Sequence, residues 1–127
     1  REKEILLLLN EAHQIRIHNL PKSISMTLFA LESSAQLGSK SLLAKCYSQL
    51  GLYYMIIGEM DKAEYFSKLA LTLYTELKDE KGIADAKYSL AGVYYKTNLY
   101  HLGLVSFTDA LKIYQKNLLM ILRQNLN

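Results

Sequence analysis

Residues Leu50–Leu73, LGLYYMIIGEMDKAEYFSKLALTL, read as two amphipathic helices joined by a tight turn at Gly58. The same pattern returns forty residues later. Leu50 falls on Leu90, Tyr54 on Tyr94, Gly58 on Asn98 and Ala63 on Gly103. Ala70, Leu71 and Tyr74 fall on Ala110, Leu111 and Tyr114. No insertion or deletion separates these pairs, and a fixed period of about 20–50 residues marks a stacked repeat array.

Within the first copy, Leu50-Gly51-x-x-Tyr54-x-x-x-Gly58, followed by Ala63 and Ala70, resembles a tetratricopeptide repeat. The second copy keeps Leu90, Tyr94 and Ala110 but has Ala91, Asn98 and Gly103 at the remaining positions. Asn98 suits a turn, because Asn tolerates the left-handed backbone. The common period of that family is about 34 residues. The extra length falls in Leu77–Ala84, LKDEKGIA. Long repeats with this joint resemble those of bacterial signalling proteins, notably sensor histidine kinases and transcriptional regulators. The resemblance implies an all-α fold: an α-α superhelix, or tetratricopeptide-like solenoid, of three helical hairpins with a C-terminal helical extension.

The hairpins are expected at about residues 4–37, 41–77 and 81–116, in one domain with an extension at 117–127. Pro21 starts the second helix of the first hairpin, where its fixed backbone angle fits. The first helix, Glu4 to Ile17, is degenerate. Asn10, Glu11 and Gln14 stand where the period asks for Leu, Gly and Tyr. An atypical terminal repeat is expected of an array, since it faces solvent or another domain instead of a preceding repeat. Gly38-Ser39 reads as a helix stop followed by an N-cap, not as a phosphate loop. From Asn117, LLMILRQNL continues in helical register, as an extension of the last helix or a capping helix. The chain begins at Arg1 and ends in a helical pattern, and it is read as a piece of a longer protein.

Composition narrows the chemistry. A chain of 127 residues, half of them hydrophobic, suits one globular domain. Its net charge of +3 is too small and dispersed to argue for nucleic acid. Cys46 is the single cysteine, which rules out an intrachain disulfide, and it reads as a buried structural thiol. The apolar runs Ile5–Leu9 and Leu118–Leu122 are far short of the roughly 20 residues of a membrane span. His13, His18 and His101 have no metal-ligand spacing, and no nucleophile–base set or nucleotide loop appears. No catalytic residue, metal or cofactor is therefore assigned. Tyr54, Tyr74, Tyr94 and Tyr114 hold matching positions and are expected in the core.

What remains is surface recognition. The resemblance implies that the first helix of each hairpin lines a concave wall that binds peptides. By position, that wall takes Leu8, Ala12, Ile15 and Arg16 from the first hairpin. It takes Lys45, Ser48, Gln49, Leu52 and Met55 from the second, and Asp85, Tyr88, Ser89, Tyr95 and Lys96 from the third. A carboxylate clamp is not expected, because Leu9, Gln49 and Ser89 replace the Asn that such clamps use. Leu118, Leu119, Ile121, Leu122 and Leu126 form a second candidate surface, for capping the third hairpin, for a homodimer seam or for the lead into a following coiled coil and output domain. The expected role is a protein- or peptide-binding module in signal transduction. The alternatives are a receptor for a small signalling peptide and a structural dimerisation array.

Overall fold

The computed structural model describes residues 1–126, which form helices and no strand. The helices are α1 Glu2–Gln14, α2 Leu20–Leu37, α3 Lys40–Ile57, α4 Met60–Leu77, α5 Glu80–Lys96 and α6 Tyr100–Leu126. A 3-10 turn at Ile15–Ile17 separates α1 from α2. Each helix packs against its neighbour in the chain, and α1 with α3 and α3 with α5 also touch.

The turns carry the forty-residue period into the backbone. Gly38 (φ 69°) and Lys78 (φ 56°) end α2 and α4 in the left-handed conformation. Gly58 (φ 94°) ends α3 in the same way, and Asn98 (φ 66°) takes that conformation after α5. Lys78 is the one of the four with neither a missing Cβ nor a short polar side chain to ease that geometry. Restart signals sit just after the stops. Asn19, Ser39 and Asp79 accept hydrogen bonds from the backbone N–H of Lys22, Leu42 and Gly82 at 3.2, 3.3 and 3.0 Å.

Apolar side chains at helical spacing fill the space between hairpins in three clusters. Ile5, Leu9, Ala30, Leu42 and Cys46 join the first hairpin to α3. Ile24, Leu50, Tyr53, Tyr54, Ala63 and Val93 form the centre. Ala44, Ala70, Tyr74 and Ala86 join the second hairpin to α5. Cys46 is fully buried, 3.6 Å from the Ser34 hydroxyl, and burial pushes its thiol pKa up. Tyr54 and Tyr74 are core residues, whereas Tyr94 and Tyr114 are only half-buried. Tyr53, the largest fully buried side chain, was not singled out by the repeat pattern, because Val93 stands forty positions on.

Helix α1 departs from the expected register. It buries Ile5, Leu9 and Ala12, whose positions forty residues on are Lys45, Gln49 and Leu52 of the expected wall. Lacking the Leu, Gly and Tyr of the other copies, α1 turns its own i, i+4, i+7 apolar face inward. Ala12 is therefore core, and its carbonyl accepts a 2.6 Å hydrogen bond from buried Ser23 Oγ. Leu8 and Ile15 are half-buried, Leu8 against the first cluster. Arg16 folds back to donate to the His13 carbonyl at 2.6 Å.

At the other end α6 runs unbroken from Tyr100 through Asn117 to Leu126. Residue 127, the last of the expected extension, lies outside the described residues. Leu118, Leu119, Ile121, Leu122 and Leu126 are 47 to 85% exposed, so the extension does not fold back over the third hairpin.

Candidate functional site

The expected wall residues divide between two clefts. The first, about 500 Å3, takes Asn10 and His13 from α1 and Lys45, Ser48, Gln49 and Leu52 from α3. Asp85, Tyr88 and Ser89 of α5 complete its wall, and Tyr74 and Tyr114 enter from α4 and α6. The second, about 580 Å3, is almost wholly apolar. Met55, Tyr88, Tyr95, Tyr100, Leu104 and Phe107 line it, with Ala91, Gly92 and Gly103 at its floor. Tyr88 borders both, stacked at a tilt on Phe107 with ring centroids 6.4 Å apart. Tyr95 meets Tyr100 edge-on at 5.4 Å. Leu8, Ala12, Ile15, Arg16 and Lys96 line neither, and Lys96 Nζ lies 3.5 Å from the Met55 carbonyl.

The floor of the polar cleft is a hydrogen-bonded chain across α1 and α3. Gln49 Nε2 donates to the Leu9 carbonyl at 3.1 Å and to Tyr53 Oη at 2.9 Å. Tyr53 Oη lies 2.9 Å from His13 Nδ1, and the rings stack with centroids 6.0 Å apart. With one hydroxyl lone pair taken by Gln49, the Tyr53 proton is free to point at His13 Nδ1. That arrangement requires a neutral imidazole protonated on Nε2. Both contacts join residues forty apart, 9 with 49 and 13 with 53. The period thus contained a signal for His13, but only if read as a contact between copies.

Desolvation, followed by the nearby Arg16 charge, holds the His13 pKa below its ordinary value of 6.5. His13 thus binds its proton less tightly folded than unfolded, and protonation favours the unfolded chain. The stability this contributes is complete above pH 6.5 and is lost as pH falls below it. Urea midpoints should therefore drop between pH 7 and pH 5 in the parent chain and drop less in His13→Gln. Equal slopes in the two proteins would refute this account.

The opposite wall is anionic and already engaged. Asp85 accepts from Tyr114 Oη at 2.5 Å and pairs with Lys81 Nζ at 3.2 Å. Burial, and then the bond to Asp85, raises the Tyr114 pKa. Burial first, with Asp79 and Asp85 adding, pushes Tyr74 up to about 12. Both phenols therefore stay protonated as donors at neutral pH. Across from them Lys45 makes no ion pair among the described residues and is exposed. The cleft thus offers one uncompensated cation, amide and hydroxyl groups of Asn10, Ser48 and Gln49, and the Tyr88 ring.

Among the described residues, no group of three or more His, Cys, Asp or Glu could hold a metal ion. No described helix is long and apolar enough to cross a membrane. No family model, no curated protein and no solved structure matches this chain.

Proposed function

We propose that the chain is a non-catalytic, tetratricopeptide-like superhelical module that binds a protein or peptide segment in its polar cleft. The observation that supports this is the cleft's composition: α1, α3 and α5 each supply part of one continuous polar wall. A peptide backbone there meets donors and acceptors in Asn10 and Ser48 and an acceptor in the amide oxygen of Gln49. A side-chain carboxylate meets Lys45, and an apolar side chain meets Leu52 and Tyr88. Aromatic anchors in pockets carry much of the energy in such interfaces. The joint at Leu77–Ala84 extends the proposal to a sensory or scaffolding segment of a bacterial signal-transduction protein, such as a sensor histidine kinase.

The test is a peptide-library screen on the purified chain, followed by calorimetry on the best peptide. Lys45→Glu and Tyr88→Ala should each weaken binding about 10-fold or more, with the helical circular dichroism unchanged. A selected peptide whose affinity ignores both substitutions would place binding elsewhere.

A further inference from the structure

Helix α6 carries a second pattern, independent of the forty-residue period. Tyr100, Leu104, Phe107 and Leu111 follow one another at intervals of four, three and four residues. Tyr114, Leu118 and Ile121 continue at three, four and three, and Asn125 follows at four. This is the a/d spacing of a heptad, sustained over three repeats, and it generates a helix-pairing seam. Among the described residues, the helix buries only Gly103 and Ala110. Every apolar seam residue except half-buried Tyr114 is exposed. A seam about 40 Å long therefore lies uncovered along the whole of α6.

Its upper half belongs to the apolar cleft, which has a covered counterpart forty residues earlier. There, on α3 and α4, helix α5 occupies the seat, with Met55 against Gly92 and Val93 in the central cluster. On the uncovered seat, Tyr88, Tyr95, Tyr100, Leu104 and Phe107 replace Ser48, Met55, Met60, Glu64 and Ser67. The uncovered seat is the more aromatic of the two and still lacks an apolar partner helix.

We propose that a second copy of this chain fills it, the two α6 helices pairing antiparallel along their full length. In that register a two-fold axis between residues 112 and 113 sets Leu104 against Ile121 of the second copy. Phe107 then meets Leu118, and Leu111 meets Tyr114. The extension left bare by one copy covers the apolar cleft of the other, and the exchange is reciprocal, as a closed dimer requires. A parallel pair would join the two extensions but bring the two sets of hairpins together at the clefts.

Charge selects self-pairing over a charged partner. The positions flanking the seam from residue 108 onward are Thr108, Ala110, Gln115, Asn117, Leu122 and Gln124, none of them charged. Lys112, Lys116 and Arg123 occupy other heptad positions, so like charges do not face each other across the pair. Of the stripe expected from sequence, Leu118 and Ile121 are on the seam and Leu122 beside it. Leu119 and Leu126 are on another face.

The experiment is sedimentation equilibrium on the intact chain, with Leu104→Lys and with the double substitution Leu118→Lys/Ile121→Lys. The parent should sediment at twice its 14.5 kDa. Each variant should raise the dimer dissociation constant about 100-fold or more, because a seam Lys is buried unpaired. All three positions are exposed in the single chain, so helicity should be retained. Oxidised mixtures of Leu104→Cys and Ile121→Cys chains should cross-link to each other, and neither should cross-link to itself. A monomer at every concentration, or a dimer indifferent to Leu104→Lys, overturns the proposal. So does self-cross-linking of Leu104→Cys, which would show a parallel pair.

Discussion

Tyr53→Ala is expected to lower the unfolding free energy by about 3–5 kcal/mol. Tyr53 is fully buried in the central cluster, with Leu50, Ala63 and Val93 among its members. Truncation removes the ring and leaves a cavity that neighbours on three helices cannot all relax to fill. It also strips the shared partner from Gln49 and His13, the side chains that tie α3 to α1. Tyr53→Phe separates the two effects. The ring stays, Gln49 keeps the Leu9 carbonyl, and only the hydroxyl bonds go, so the loss should be about 1 kcal/mol. Urea unfolding followed by circular dichroism measures both. A Tyr53→Ala loss no larger than that of Tyr53→Phe would mean the ring is not a core element.

Gly51→Ala is expected to destabilise, against its helix propensity. In an open helix the change gains about 0.8–1.0 kcal/mol. Here Gly51 is where α3 crosses α4. An added Cβ would overlap the Ser67 hydroxyl and press on the Ser67 backbone N and Cα, at 3.1 and 3.3 Å. The hydroxyl can rotate, but the backbone cannot move without separating the helices. Overpacking of this kind costs about 1–3 kcal/mol, so crowding outweighs propensity and a net loss of up to about 2 kcal/mol remains. Gly51→Leu should lose more. Gly103→Ala is the internal comparison. Its nearest neighbours are the Ala91 carbonyl at 3.3 Å and Tyr95 N at 3.4 Å, with no overlap. Ala63 already stands at the equivalent place, so propensity and crowding should nearly cancel there. The pair is read by denaturant midpoints, and a Gly51→Ala protein as stable as Gly103→Ala would refute the close crossing.

The repeat made much of the fold legible. Local signals sufficed for α3, which runs from Lys40 to Ile57 between Ser39 and Gly58 as read from the chain. The left-handed stops at Gly38, Gly58, Lys78 and Asn98 follow the same period, although Lys78 has no glycine-like residue to announce it. On α3 and α5, where the repeat residues are kept or mildly substituted, the residues picked from sequence line one cleft or the other, except Lys96. The choice failed for α1, because positional transfer assumes that equivalent residues face the same way, and Ile5, Leu9 and Ala12 turn that helix to bury a different side. Asn10 and His13 took the wall places given to Leu8 and Ala12.

The helices, their turns, the forty-residue offset and the heptad spacing in α6 are written in the chain. Each of these depends on residues a few positions apart or on a repeated text. Tertiary structure alone decided three further matters: the rotation of α1, the division of the wall into a polar and an aromatic cleft, and the exposure of α6. These depend on which side chains from different helices compete for the same space. Tyr53 reaching His13, and Tyr114 reaching Asp85, are contacts of 40 and 29 residues' separation that no local pattern encodes.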